Sequence, residues 1–454
     1  MRAKRRTDVI EVPFPPVEDE AEAEAPSPPE SLDELNLRRE RIVYDGITNL
    51  PIHPFETPER VDERIENLGV IYLQVGKFFG FEELFGWESY DRVLASVSDG
   101  LQDDVGTSRL APYVRAIRFS GADGFFVLYD LPPAGRGRSP VDLHEEAARL
   151  RAGVVRRLRQ TLDGPTTDLV SILVSSLSAA DNPRVRPSRH QVRTLQEAVK
   201  IVAQRQTHER LELFNGLKSV IGGKQLRPAF QPVRRLADGG IMGYEALIRG
   251  PQGSTLEPPT VLFAVAHENE MDVELETLCL ETIFAGLPKA VGEKRLFVNA
   301  SAMLLRHPVF LDQRNLAAIN RSHGDVVVEI SEKEMVRDYA SFQDVLDTVR
   351  RARMRIAIDD AGSGYSGLET ILHLKPDYIK VADSLVRKIH ADPIKREILA
   401  SLEAIGKRIG ATLVAEGIEV EAERKALVEL GIEFGQGYLL GKPAFQVSGR
   451  SSRT

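Results

Sequence analysis

Six short apolar runs in the second half of the chain end on polar side chains that could bind a cation or a phosphate. Glu245 lies near the end of residues 242–247, Asn299 follows Leu296-Phe297-Val298, and Glu329 follows Val326-Val327-Val328. Asp359 and Asp360 follow Ile356-Ala357-Ile358, Lys380 closes the run from Tyr378, and Glu416 follows Leu413-Val414-Ala415. Runs of this length and composition read as buried strands. If they lie side by side in a barrel, their carboxyl ends share one face and these side chains converge there. Carboxylates and an amide oxygen are hard ligands suited to Mg²⁺ or Mn²⁺. So many acids on one face raise one another's pKa values unless cations occupy the site. A two-ion centre bridged by one carboxylate is therefore expected, which is chemistry suited to cleaving a phosphodiester. A single acid at a strand end is more often a solvated loop residue or a helix cap. Six such ends in register are what point to a site.

The elements that must hold these residues follow from the rest of the pattern. Residues 225–446 alternate strand-like runs (229–232, 242–247, 296–299, 326–330, 356–359, 378–380, 412–416) with helical stretches (260–267, 275–287, 309–320, 342–352, 395–409, 421–430). Repeated β-α alternation over this length predicts a parallel sheet closed into a (β/α) barrel. Residues 186–224 hold no proline between Ser188 and Gly222-Gly223 and favour helix, which predicts a helical linker. Residues 40–185 carry mixed α/β patterning. A buried strand is expected at 68–75, a hairpin at 116–119 and 125–129 around Ser120–Gly124, helices at 88–101 and 141–162, and a closing strand at 169–174. Residues 1–39 are rich in Pro, Glu, Asp and Ala, too polar to offset their ordering entropy. They read as a disordered tail, with docking of a protein partner as the alternative role.

Composition narrows the function classes. Sixty-seven acids against 59 Lys and Arg leave a net charge of -8, which argues against a nucleic acid polymer as partner. The single cysteine, Cys279, excludes an internal disulfide framework and a cysteine-rich zinc site. No apolar run reaches the roughly 20 residues of a membrane span. The basic start leads into acids and prolines, not an apolar signal core, so a cytoplasmic protein is expected.

At this point the motifs resemble those of EAL domains, which hydrolyse or bind cyclic di-GMP. Tyr244-Glu245-Ala246-Leu247-Ile248-Arg249 matches the signature, and Gln231-Pro232 the opening motif. Asn299-Ala300-Ser301, Glu329-Ile330-Ser331-Glu332 and Asp359-Asp360 before Gly362-Ser363-Gly364 follow in the family's order. Lys380, Glu416-Gly417-Ile418-Glu419, Gln436-Gly437 and Pro443 complete the series. The resemblance implies hydrolysis of cyclic di-GMP to linear pGpG with two Mg²⁺ or Mn²⁺ ions. It assigns one ion to Glu245, Asn299, Glu329 and Asp359, and the other to Asp359, Asp360 and Glu416. It makes Lys380, Glu416 and Glu245 catalytic, with Lys380 positioning the attacking water. Arg249 would hold a phosphate, Gln231 and Gln436 would line the substrate site, Glu419 would complete the ion shell, and Glu332 would brace the loop after Asp360. It also implies a homodimer formed through the helix near that loop.

Residues 40–185 resemble a degenerate GGDEF domain, through Asp45-Gly46-Ile47-Thr48-Asn49-Leu50-Pro51 and the Gly121-Ala122-Asp123-Gly124-Phe125 hairpin. Gly124 stands where that family has its signature glutamate, and Gln74 and Gly76 where it has metal-binding aspartates. A scaffold without cyclase activity is expected, regulating the barrel. Two departures in the barrel weaken the enzyme reading. Ala361 replaces an aromatic, and Ala382 replaces an aspartate, with Asp383 one residue too late to share the Lys380 face. Asp383 is expected to cap the helix near Ser384. A catalytically weak or inactive cyclic di-GMP receptor is thus the rival reading, and a scaffold that has lost the nucleotide is a third.

Overall fold

The computed structural model describes residues 44–446 except 53–64, 78–80, 82–85, 122, 133–141, 163, 290, 293, 313–314, 317–318, 320–322, 332–338 and 363–366. The expected tail 1–39 and Glu332 lie outside the described residues.

The amino-terminal part is a four-stranded antiparallel sheet in the order β2-β3-β1-β4, with β1 Asn67–Lys77, β2 Val114–Phe119, β3 Gly124–Asp130 and β4 Val170–Ala180. Strand alternation sorts β1 onto both faces of the sheet. Ile71, Leu73 and Val75 meet Val93, Val97 and Leu101 of α1 (Trp87–Gly106) and Leu150, Val154 and Leu158 of α2 (Leu143–Thr161). Val70 and Tyr72 face the other way, onto Leu195, Ala198 and Val202. Those three belong to α3, a 36-residue helix over Pro187–Gly222 that starts with proline and stops at Gly223. Its first half therefore covers the sheet instead of merely bridging. Its second half buries Leu217 and Val220 beside the barrel helix α4 (Pro259–Glu268).

The resemblance to a cyclase site can be tested on packing. Gln74 pairs with Gly124 across the β1–β3 ladder. A Cβ at Gly124 would lie 2.2 Å from the Tyr72 hydroxyl, and one at Gly76 would lie 2.4 Å from Ser171 Oγ. The Tyr72 ring closes the Gly124 position, so it is not a pocket that has merely lost its acid, whereas at Gly76 only the rotatable Ser171 hydroxyl stands in the way. The carboxylate of the hairpin turn, Asp123, accepts a hydrogen bond from Tyr90 at 2.5 Å.

Eight strands close the barrel: β5 Arg227–Arg235, β6 Ile241–Arg249, β7 Arg295–Asn299, β8 Val326–Ser331, β9 Arg355–Ala361, β10 Tyr378–Val381, β11 Thr412–Ala415 and β12 Phe434–Gly435. The expectation of an all-parallel sheet fails at one strand. β5 runs antiparallel to both β6 and β12, because a tight turn at Asp238-Gly239-Gly240, with Gly239 at φ 73°, joins β5 to β6 as a hairpin. β12, only two residues long, completes the closure and carried no periodic signal. The expected helix 309–320 is interrupted at Asp312, with Asn315, Leu316 and Ile319 helical again beyond it. A helix over Pro308–Leu311 ends at Asp312, whose backbone is extended, and a short helix at Ala302–Arg306 was not anticipated, whereas the helices expected near the Asp360 loop and near Ser384 span Gly367–Leu374 and Asp383–Val386. No helix of the described residues is long and apolar enough to cross a membrane.

Val233, Phe297, Val327, Ala357, Tyr378, Val414 and Phe434 point into the barrel and plug it with a buried apolar layer. The polar residues of interest sit one layer above this plug.

The packing yields a prediction. The chain makes no cyclic dinucleotide from GTP and Mg²⁺, and Gly124→Glu lowers unfolding stability by about 1–3 kcal/mol through the clash with Tyr72. Product from GTP, or a Gly124→Glu variant with an unchanged urea midpoint, would contradict this.

Candidate active site

A two-residue period builds the site. On each parallel strand, the side chain two positions beyond a plug residue emerges on the same face, one layer higher. Phe297 is followed in this way by Asn299, Val327 by Glu329, Ala357 by Asp359, Tyr378 by Lys380, Val414 by Glu416 and Phe434 by Gln436. On the reversed strand β5 the same step runs backwards, from Val233 to Gln231.

Lys380 stands at the centre and is 1% exposed. Its Nζ lies 2.8 Å from Glu329 Oε1, 2.9 Å from Glu416 Oε1, 3.0 Å from Asp359 Oδ1 and 3.4 Å from Glu245 Oε2. Glu245 is further held by Asn299 Nδ2 at 3.2 Å and Gln436 Nε2 at 2.6 Å. Gln436 Nε2 also donates to Gln231 Oε1 at 2.9 Å, and Gln231 Nε2 donates to the Gly441 carbonyl at 3.0 Å. One network thus joins eight of the expected residues.

Asp360 joins them through a local irregularity. Neighbours on a regular strand point to opposite faces, so Asp359 and Asp360 could not both face the mouth. Between the pairs Ile358–Ile379 and Ala361–Val381, however, two residues of β9 oppose the single residue Lys380. That is a β-bulge, and Asp360 adopts a left-handed backbone with φ 57°. Aspartate tolerates this conformation better than most side chains do. Carboxylate oxygens of Asp359, Asp360 and Glu416 come within 4.8 Å of one another, a grouping able to hold a metal ion.

The donor set also fits a cation on its own chemistry. Glu329 Oε2 and Gln436 Oε1 are buried without a hydrogen-bond partner among the described residues. Asp359 Oδ1 and Glu329 Oε1 lie against the Lys380 ammonium at 3.0 and 2.8 Å. Buried carboxylate oxygens without donors are costly unless a cation serves them. Burial, then the charge of Glu245, raises the Glu329 carboxyl well above the usual glutamate range against the pull of Lys380. Burial does the same to Glu416, again opposed by Lys380. Burial alone would lower Lys380, but Asp359, Glu245, Glu329 and Glu416 outweigh it and hold the ammonium well above its usual value.

The remaining expected residues stand apart. Arg249 ends β6 with its Nη1 on the Ile248 carbonyl at 2.7 Å, and burial lowers its pKa against the pull of Tyr438 and Glu245. Glu419 is 53% exposed and faces Arg387 at 3.8 Å, outside the group of three carboxylates. Asp383 is not a helix cap. The cap position is Ala382, and Asp383 is the exposed first helical residue, 3.4 Å from Arg387. Sequence reasoning missed two buried acids that hold the site loops. Glu276 Oε2 accepts the Ser301 amide at 2.9 Å, just past Asn299. Glu423 accepts the amides of Glu419 and Val420 at 3.0 and 3.2 Å and that of Lys388 at 2.9 Å. Its place three residues into the start of a helix was a legible signal for the second. The first carried none.

Comparison with known proteins agrees with this geometry, since residues 215–443, half of the chain, match the EAL domain. The chain belongs to the EAL domain family. It is 23% identical over 431 residues to the bifunctional diguanylate cyclase/cyclic di-GMP phosphodiesterase MucR of Pseudomonas aeruginosa, covering 88% of this chain and 60% of that protein. It is 30% identical over 236 residues to the probable cyclic di-GMP phosphodiesterase PdeG of Escherichia coli, covering 50% and 46%. The solved PaMucR phosphodiesterase in complex with c-di-GMP aligns at 27% identity and a TM-score of 0.47, over 51% of this chain and 97% of that one. The chain spans about half the length of the full relatives it matches.

The raised carboxyls of this EAL domain predict how stability depends on pH. A folded-state pKa raised at Glu329 and Glu416 means the native state holds protons that the unfolded chain has released. Stability of the cation-free protein therefore falls as pH rises above the ordinary glutamate pKa of about 4.3. Lys380, raised in the folded state, keeps its contribution until pH passes the ordinary lysine pKa of about 10.4. Mg²⁺ or Mn²⁺ at 100 times its dissociation constant adds about 2.7 kcal/mol and removes the decline. Thermal unfolding from pH 5 to 8, with and without cation, checks this; a flat profile that cations do not move would contradict it.

Proposed function

We propose that the chain is a divalent-cation-dependent phosphodiesterase that hydrolyses cyclic di-GMP to linear pGpG. The observation that carries the reading is the buried Lys380 ringed by Glu245, Glu329, Asp359 and Glu416, with Glu329 Oε2 left without a donor among the described residues. The activities for which the relatives are named support the same reaction, and the site chemistry supports the carry-over.

Glu245, Asn299, Glu329 and Asp359 would hold one Mg²⁺ or Mn²⁺, and Asp359, Asp360 and Glu416 the other. When bound, the two cations supply charge that activates water and neutralises the negative charge developing on the phosphate. The protein's own groups set the geometry. Lys380 Nζ donates to the attacking water and fixes its line to phosphorus. Gln436 and Asn299 pin the Glu245 carboxylate so that it meets its ligand in one orientation. Arg249 neutralises a phosphate, and Gln231 and Gln436 line the substrate side. The apolar plug beneath lowers the local dielectric constant and strengthens each of these interactions. Residues 40–185 serve as a GGDEF-like regulatory domain without synthesis, and pairing of two chains draws on the helix Gly367–Leu374, whose Leu372 is 67% exposed.

A receptor reading is favoured by one specific feature. Ala382 is buried beside Lys380 where an acid would assist it, and Asp383 points away to Arg387. Losing one supporting acid costs about 10- to 100-fold in activity, which slows an enzyme without abolishing it.

Two outcomes follow. Purified protein with Mg²⁺ or Mn²⁺ releases pGpG, EDTA stops it, and Glu245→Ala lowers the rate by at least about 10²-fold through loss of a cation ligand. Undiminished turnover in EDTA, read by chromatography, would sink the cation-dependent mechanism. Ala382→Asp raises kcat by about 10-fold or more. If that variant releases no pGpG while still binding cyclic di-GMP, the receptor reading replaces the enzyme.

A further inference from the structure

Because β5 runs against its neighbours, the end of α3 arrives at the same barrel rim as the candidate site. α3 stops at Gly222, and Arg227, the first residue of β5, pairs in register with Arg249, the last of β6. The loop leaving Arg249 is tied back to Arg227 at several points. Arg227 donates from Nη2 to Glu257 Oε1 at 2.6 Å, from Nε to the Gly250 carbonyl at 3.2 Å and from Nη1 to Gln252 Oε1 at 3.4 Å. The second oxygen of Glu257 accepts the Gly253 amide at 2.7 Å, and the Gly250 amide donates to the Glu257 carbonyl at 3.1 Å. One planar guanidinium and one carboxylate thus close residues 250–257 into a ring, using the fork of donors that distinguishes arginine from lysine.

The ring has an apolar base on the interdomain helix. Leu256 is 4% exposed, and a Cβ at Gly216 of α3 would meet its Cδ1 at 3.2 Å. A Cβ at Gly250 would meet the Leu256 carbonyl oxygen at 2.0 Å, so only glycine fits at the first loop position. The loop therefore has one packing, seated on α3 and locked by Arg227 and Glu257. As a partly exposed ion pair, Arg227 and Glu257 add little to global stability. Their geometry acts on the loop instead.

We propose that Arg227 and Glu257 are positioning residues for Arg249, holding the 250–257 loop closed on α3 so that the Arg249 guanidinium is aimed at the substrate phosphate. This inference rests on the phosphodiesterase reading for the identity of the ligand. The loop's seat on α3 gives the amino-terminal sheet, which the same helix covers, a direct mechanical route to the phosphate site.

The test uses the full chain and the variants Arg227→Gln, Glu257→Gln, Arg227→Lys and the double Gln variant. Amide hydrogen exchange over residues 250–257 is read without ligand, cyclic di-GMP affinity is read with Ca²⁺, and KM and kcat are read with Mg²⁺. Exchange in the loop should quicken in each Gln variant. KM and the dissociation constant should rise about 10- to 100-fold while kcat stays within about threefold, the signature of a binding group that has lost its aim. The double variant should be no worse than the worse single one, because both break the same clamp, and Arg227→Lys should not rescue. Unchanged exchange and KM in Arg227→Gln, or additive effects in the double variant, would overturn the proposal. A wild-type chain that neither binds nor cleaves the dinucleotide would overturn the underlying reading, a failure separable because loop exchange is measured without ligand.

Discussion

One buried ammonium among crowded acids governs the barrel mouth. Five carboxylates, of Glu245, Glu329, Asp359, Asp360 and Glu416, face a single Lys380, leaving four negative charges if all ionise. Two carboxylate oxygens at the 4.8 Å limit of the Asp359–Asp360–Glu416 group repel by about 3 kcal/mol per pair at an effective dielectric constant of about 20. Such a layer is tolerable in only two ways. Protons enter, which the raised Glu329 and Glu416 carboxyls express, or cations do. A lysine in the middle holds the arrangement together in the meantime, at the separations where a cation would otherwise serve the same oxygens.

The rest of the fold can be understood as what keeps that layer in place. The apolar plug below gives it a floor, and strand alternation lifts each polar side chain above the plug. A regular strand could not supply both Asp359 and Asp360, so β9 is bulged and Asp360 takes a left-handed backbone. Backbone strain of this kind costs of order 1–3 kcal/mol and persists where the surroundings impose it. Here the gain is a second carboxylate on the mouth side. Glu276 and Glu423 then fasten the loops beyond Asn299 and Glu416 from outside the barrel.

What was legible in the sequence follows from this design. Three-residue apolar runs closed by one polar residue mark strands buried on both faces, and the six polar ends fell where the barrel brings them together. Lys380, Glu245 and Glu329 could be read because burial forces their chain neighbours (Ile379 and Val381, Tyr244 and Ala246, Val328 and Ile330) to be apolar or aromatic. The long helix α3 was legible from its uninterrupted polar pattern, whereas its double duty, covering a sheet and then a barrel, was not. Features set by register stayed hidden. The direction of β5, the bulge at Asp359-Asp360 and the two-residue β12 depend on pairing partners far away in sequence. So does the clamp of Arg227 on Glu257, which no spacing rule links. Asp383 illustrates the opposite error, since its type suited a cap while the chain turned into helix one residue earlier.

Locating the cations tests the central claim most directly. Crystals of the full chain soaked with Mn²⁺ can be measured by anomalous diffraction. A site built to neutralise this layer predicts two peaks, one touching Glu245, Asn299, Glu329 and Asp359 and one touching Asp359, Asp360 and Glu416, with the Lys380 ammonium displaced from the centre of the acids. No peak at the mouth at saturating Mn²⁺, with Lys380 still in contact with all four carboxylates, would mean that the cluster is a closed salt-bridge core and not a cation site.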